Sequence, residues 1–446
     1  MHTLRNVLSI AALLAWISAA AAQDLTIKSP PQRGRIVIDG ATVHPISGPV
    51  IERGVVVFEN GKITEVRPIR IGSDLIGGDA RVIRADGTHL YPGLIGAHTQ
   101  MGLVEFPPVR PTVDHDETGA VTPEVRAVTA VNPDSTILPV TRAAGVLVCG
   151  VFPTGGPISG TAGVVQLEGW TPDEMTVRPE VGIAVDWPMM RTVRAWWMEK
   201  SDEEQLKDIR RNVALIEDAF TKAAAYAKER AADPSRALDL RWEQLAKTMT
   251  GPDRLRVFIR ADDFDQISAA LDLAGRFGLR VVVIGGRDAP LAAELLKKHD
   301  VSVIVPTTFA FPRRADAAYD EAYTLPSRLE AAGLRWCLAQ ADDTAHERNL
   351  PYGAALAAAH GLPREAALRA VTLSAAEILG VADRVGSVEV GKDATMILTD
   401  GDPLEISTHV VRAFVSGREI DLSNKHSRLA EKYREKYRQS SAPAPR

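Results

Sequence analysis

Cysteine is nearly missing: Cys149 and Cys337 are the two in 446 residues. No Cys-x-x-Cys or His-x-x-Glu zinc pattern is present, so a structural zinc site is not expected. Both cysteines sit in apolar runs and read as buried free thiols. A disulfide between them stays open if the compartment is oxidising. Basic clusters are also lacking. The formal net charge is -5, and no Lys/Arg run interrupts the body, which argues against nucleic acid as a partner. Past the first 22 residues no apolar run is long enough to span a bilayer. No internal repeat occurs. The Gly-rich "TGGPISGTAG" (154–163) lacks the Gly-Lys-Ser/Thr ending of a phosphate loop and fits no G-x-G-x-x-G pattern, so it reads as a tight loop.

The N-terminus is distinctive. Arg5 precedes an apolar stretch at 7–17, and Ala20-Ala21-Ala22 offers a small-residue cleavage site. This reads as an export signal over 1–22, with a mature chain starting near Gln23 and a periplasmic or secreted location. No membrane span is expected after its removal.

Hydrophobic residues make up 45% of the chain, the share of an ordinary globular protein. Residues 34–88 alternate apolar and polar positions, with Asp39-Gly40 and Asn60-Gly61 as hairpin signals. The same texture returns over 385–422. The economical reading is one small composite β-sandwich built from both chain ends. Between them, over 89–384, short apolar strands such as "LRVFIR", "LRVVVIGG", "VSVIVP" and "LRWCLAQA" alternate with helical periodicity. That pattern predicts right-handed crossovers and a parallel sheet. Seven strands are evident, and an eighth is expected near Val181–Pro188, which gives an α/β fold with a (β/α)8 TIM-like barrel. Residues 201–250 read as two helices broken at Asp233-Pro234. Residues 423–446 read as a charged helix and a disordered tail.

The stretch "LYPGLIGAHTQMG" (90–102) resembles the first barrel strand of the amidohydrolase superfamily, which usually carries Pro-Gly-(Leu/Phe)-Ile-Asp-x-His-x-His. "RNLPYGAALAAAHGLPREAALRAVTLSAAEILGVADRVGSVEVGKDA" (348–394) is similar to the same family's C-terminal stretch. "PTGGPISGTAGVVQLEGW" and "SNKHSRLAEKYREKYR" further resemble a secreted, imidazolonepropionase-like branch. The resemblance implies hydrolysis of amide or lactam C–N bonds by one or two divalent ions, with a last-strand aspartate taking the proton from metal-bound water.

The matching positions depart from that pattern. His98 matches the first histidine, as a weak metal ligand, while Gln100 replaces the second and Gly96 the preceding aspartate. Arg260 stands where a strand-end histidine belongs, and Ile284 or Gly285 where another does. Asp342 fits the last-strand acid best and is the catalytic candidate. Asp343, Tyr323 and His346 complete the pocket candidates. A guanidinium and a divalent ion within ~4 Å repel by roughly 4 kcal/mol per unit charge at an effective dielectric of 20. The expectation is that an Arg260–Asp342 pair takes the metal's place. No cofactor is then needed; the alternative is a single Zn or Mn on His98 and Asp342. The expected ligand is a small anionic or amide-containing molecule, and activity is impaired or lost, as in a pseudoenzyme.

Other groups read more plainly. "VDHDE" (113–117) is a polar loop, of the kind that lines sites at this barrel face. His299 and His360 sit at helix C-termini, where the dipole favours them. Trp196-Trp197, with Met198, reads as core or interface packing, a dimer contact included; a homo-oligomer, or a hetero-oligomer with a homologue that keeps its His-x-His pair, is a separate expectation.

Overall fold

Asn60 and Gly61 both adopt positive φ (52° and 78°) and turn β2 (Ile51–Glu59) back onto β3 (Lys62–Pro68), the geometry an Asn-Gly hairpin needs. Asp39-Gly40 behaves differently. It lies inside β1 (Ile36–Val43), where Gly40, at φ 95°, forms a bulge instead of the expected turn. A Cβ there would meet the Asp86 carboxylate at 2.7 Å, and the buried Asp39 pairs with Arg84.

This computed structural model describes residues 24, 26–69, 79–340 and 343–440. The expected export signal falls outside them. Among the described residues no helix is long and apolar enough to cross a membrane.

Two eight-stranded sheets organise the chain. In the first, β4 (Arg81–Arg84) and β5 (His89–Pro92) run parallel to β1. The second begins with β6 (Leu94–Thr99), β7 (Val146–Val151), β8 (Ile158–Gln166), β9 (Thr176–Asp186) and β10 (Arg256–Ala261). It continues with β11 (Arg280–Gly285), β12 (Ser302–Val305) and β13 (Arg335–Leu338), in chain order around the sheet. The chain then returns to the first sheet. There β14 (Met396–Thr399) pairs with β5, followed by β15 (Val410–Val415) and β16 (Arg418–Glu419). Strands from both ends of the chain thus share one hydrogen-bonded sheet.

The eighth barrel strand is β9, at the expected place. The barrel is not all parallel, however: β8 runs antiparallel to both β7 and β9. The cause is the length of the connection. Six residues, Phe152 to Pro157, join β7 to β8, and Gly155 and Gly156 (φ 89° and 77°) make the turn. A parallel return needs a crossover of a dozen residues or more.

The helices are α1 (Ile137–Ala143), α2 (Pro172–Met175), α3 (Asp202–Ala232), α4 (Leu240–Ala246), α5 (Phe264–Phe277) and α6 (Ala293–Lys298). After them come α7 (Glu321–Ala331), α8 (Leu350–Ala359), α9 (Arg364–Ala370), α10 (Leu373–Leu379) and α11 (Lys425–Ser440). The break in 201–250 runs from Asp233 to Asp239. α3 starts at a capping box in which Ser201 and Glu204 satisfy each other's backbone.

Ile95, Ala97, Val148, Phe152, Phe258 and Ile304 fill the barrel lumen, so it is a packed core and not a pore. α10 belongs to that core through Ala375, Ala376, Ile378 and Leu379. Just before it, the Val371 carbonyl accepts from the Ile95 N–H at 2.8 Å. Residues 371–379 therefore bridge the seam where β13 and β6 approach without a ladder. Cys149 and Cys337 are both buried and free.

Candidate binding site at the barrel mouth

A bulge in β6 aims His98. Gly96 pairs with Cys149 and Thr99 with Val151, so β6 uses three steps where β7 uses two. His98 consequently faces the lumen. Its ring lies 4.6 Å from Phe152, which meets Phe258 edge-on at 5.0 Å. His98 is buried, and its Nδ1 has no hydrogen-bond partner among the described residues. Burial first, and the Arg260 charge second, push its pKa down to about 3. It is a neutral imidazole throughout the physiological range.

The sign of the pH dependence follows. Between about 3 and 6.5 the unfolded chain protonates His98 and the folded chain does not, so stability falls as pH drops through that window. Each unit corresponds to ~1.4 kcal/mol for one such group. A His98→Gln variant is expected to show a stability–pH slope shallower by one proton between pH 6 and 4 in urea denaturation. Identical slopes would refute the neutral buried imidazole.

Gln100, two residues on, donates from Nε2 to Thr154 Oγ1 at 3.4 Å, and Thr154 Oγ1 lies 2.6 Å from His115 Nδ1. The 103–136 loop, laid along β8 by bridges such as Val121–Ile158 and Arg126–Thr161, brings His115 there. Asp116 then joins His115 (3.9 Å) to Arg110 (3.4 Å). The "VDHDE" segment is thus part of the mouth, and "TGG" is the turn that presents Thr154.

Arg260 ends β10 beside Asp186 of β9, its register partner, with Nε 3.2 Å from Oδ1. Burial raises the Asp186 pKa and the Arg260 charge opposes that rise. The expected carboxylate, Asp342, lies outside the described residues. The pairing that is observed gives Arg260 to Asp186, because strand register sets these two side by side. The other pocket candidates are otherwise engaged. Asp343 is exposed and accepts from the Ala345 N–H at 2.8 Å, capping a 3-10 turn (Thr344–Asn349). His346 is exposed on that turn. Tyr323, on α7, packs on His360 at the end of α8, with ring centres 5.0 Å apart.

Two carboxylates were missed from the sequence, and both occupy space left by a glycine. At the end of β11, Gly285 has φ 114°, and a Cβ there would lie 2.6 Å from Asp262 Oδ1. Burial raises the Asp262 pKa against the opposing charge of Arg287. At Gly96 a Cβ would collide with the carboxylate of Glu347, which is fully buried. The available signal was a glycine where the resemblance expects a larger polar residue, an aspartate at 96 and a histidine at 284 or 285.

The mouth therefore holds a neutral imidazole, an amide, a hydroxyl and a half-exposed guanidinium–carboxylate pair. Among the described residues no group of three or more His, Cys, Asp or Glu could hold a metal ion. The barrel is matched by known proteins. An amidohydrolase from Thermotoga maritima superposes with a TM-score of 0.74 at 24% identity, over 86% of this chain and 99% of its own. The two proteins share a fold. The amidohydrolase family model matches residues 282–422, from β11 to past β16. A zinc-bound adenosine deaminase from Xanthomonas campestris has the same fold, with a TM-score of 0.52 and 17% identity over 92% of this chain and all of its own. Among curated proteins, the amidohydrolase tasK of Hapsidospora irregularis is 25% identical over 415 residues, 84% of this chain. The chain spans 41% of that relative's length.

Proposed function

We propose that this chain is a non-hydrolytic member of the amidohydrolase superfamily that binds a small anionic or amide-bearing molecule at its barrel mouth. One observation carries the reading: Arg260 stands at the end of β10, paired with Asp186, and its charge acts on His98. A catalytic zinc site uses about three protein ligands and an open position. His98, Gln100 and Arg260 supply one neutral ligand, one amide and one fixed cation. These residues do not fit a catalytic divalent ion, and no hydrolytic step is derived through one. They suit recognition instead. The exposed part of the Arg260 fork can receive a carboxylate, and Gln100 can both donate to and accept from an amide.

A second reading has its own support. The unpartnered Nδ1 of His98 is a buried acceptor or donor without a use, and with Asp342 it would make two ligands for one weakly held Zn or Mn. Elemental analysis of the purified chain separates the two. The expected result is no stoichiometric Zn, Mn or Fe, and no thermal shift when either Zn or Mn is added. An ion at 100 times its dissociation constant would add ~2.7 kcal/mol, so one bound equivalent with such a shift overturns the proposal.

The reading of residues 1–22 as an export signal supports a periplasmic or secreted setting, and the resemblance of 153–170 and 423–438 supports the secreted, imidazolonepropionase-like branch. The exposed Trp196 and Trp197 support a homo- or hetero-oligomer, the latter with a homologue that keeps the His-x-His pair.

A further inference from the structure

At the end of the barrel opposite the mouth, a recess of about 790 Å³ opens against the first residues of four consecutive parallel strands. Those residues are Arg256 (β10), Arg280 (β11), Ser302 (β12) and Arg335 (β13). Arg256 and Arg280 are direct register partners, and Ser302 pairs with Arg335. Arg369 of α9 and Ser374 of α10 complete the polar wall.

The charges do not cancel. Arg335 is held by Asp300 at 2.7 Å and Arg369 by Glu377 at 2.8 Å. Among the described residues, the hydrogen-bond acceptors of Arg256 and Arg280 are carbonyl oxygens, those of Glu377 (3.4 Å) and Pro252 (3.3 Å). One further carboxylate lines the recess, Glu330, and it accepts from Trp336 Nε1 at 2.8 Å. Burial lowers the Arg256 pKa, and the positive charges of Arg280, Arg178 and Arg335 lower it further. Arg256 is also fixed in place. A Cβ at Gly380 would collide with its guanidinium, so the glycine leaves the channel through which the side chain reaches the end of α10.

We propose that this recess is a binding site for a small polyanion, a phosphate-bearing or polycarboxylate molecule, separate from the mouth. Two adjacent guanidiniums with free donors can each take a bidentate anion contact, and the serines Ser302 and Ser374 add neutral donors. Such a ligand relieves the mutual repulsion of Arg256 and Arg280. It also ties β10 and β11 to α10, the helix that closes the barrel seam.

Calorimetric titration of the full chain with pyrophosphate and, separately, with citrate tests this. The expected result is saturable binding of at least one anion with one site per chain, weakened about tenfold or more in Arg280→Ala, the size of a lost charge-assisted contact. Arg280 is exposed, so this variant is expected to keep its circular dichroism spectrum. Ser374→Glu, which puts a carboxylate into the recess without removing an arginine, is expected to weaken binding as strongly. Binding of pyrophosphate alone assigns the site to phosphates, and of citrate alone to polycarboxylates. No saturable heat with either anion overturns the proposal. So does binding that is unchanged in both variants.

Discussion

Replacing Gly96 by aspartate, the residue the family usually carries there, is expected to destabilise the fold by 3 kcal/mol or more. Gly96 lies against Glu347 of the 3-10 turn after β13, and any Cβ would enter the volume of that carboxylate. Overpacking a buried site costs ~1–3 kcal/mol. Aspartate also brings a second buried carboxylate within ~4 Å of the first, a repulsion of up to roughly 4 kcal/mol at an effective dielectric of 20. The neighbourhood already feels one negative charge: burial raises the Cys149 thiol well above its ordinary pKa, and the Glu347 charge adds to that rise. Gly96→Ala is expected to carry the packing part alone, ~1–3 kcal/mol. In the Gly96→Ala/Glu347→Ala pair the collision is gone, so a coupling energy of ~1 kcal/mol or more is expected in the double-mutant cycle. Urea midpoints at constant m-value read all four proteins. An aspartate variant as stable as the parent would mean that the 344–349 turn yields freely, and the compensation between Gly96 and Glu347 would be disproved.

That compensation shows which parts of the site were legible in the chain. Gln100 and Arg260 could be placed from strand ends alone, because an apolar run bounded by turn residues fixes where a strand stops. Their partners could not. Arg260 meets Asp186 through the register of β9 with β10, and single-strand patterns carry no register. Asp262 and Glu347 act across glycines, and a glycine records room without naming what fills it. The barrel was legible in strand number and position, including β9, because buried strands read as continuous Val/Ile runs. Strand direction was not. β8 has the same apolar texture as its neighbours, and only the six-residue link after Val151 reveals that it must turn back. Matching alternation at 34–67 and 385–420 points to a composite sandwich, and what is observed is one sheet with strands from both segments; within it Asp39-Gly40 is a bulge because Asp39 is buried against Arg84 instead of turning in solvent.

The reversed strand is secured by a buried ion pair, and this gives the second large expected effect. Arg142 of α1 and Glu168, just after β8, lie within hydrogen-bond reach with side chains only 3% and 2% exposed. Arg142 also donates to the Leu167 carbonyl at 2.9 Å, and Glu168 accepts from the Ser29 N–H at 2.8 Å. The pair therefore joins the helix before β7, the far end of the β7–β8 hairpin and the N-terminal segment. Glu168→Ala leaves a guanidinium buried without its charge partner, and a loss of ~3–5 kcal/mol is expected. That is a large part of the ~5–15 kcal/mol that holds a typical domain. Charge is the decisive element in this argument, so the double variant Arg142→Met/Glu168→Met is expected to recover most of the loss. A residual deficit of ~1–3 kcal/mol is expected from the Ser29 N–H left without an acceptor. Ser29 should also be released, so limited proteolysis within 26–33 is expected to quicken in both variants. If the double variant is as unstable as Glu168→Ala, packing of the two side chains and not the unpaired charge sustains the hairpin. The pair would then be a spacer between α1 and β8, and the polar contacts to Leu167 and Ser29 would carry what remains of its effect.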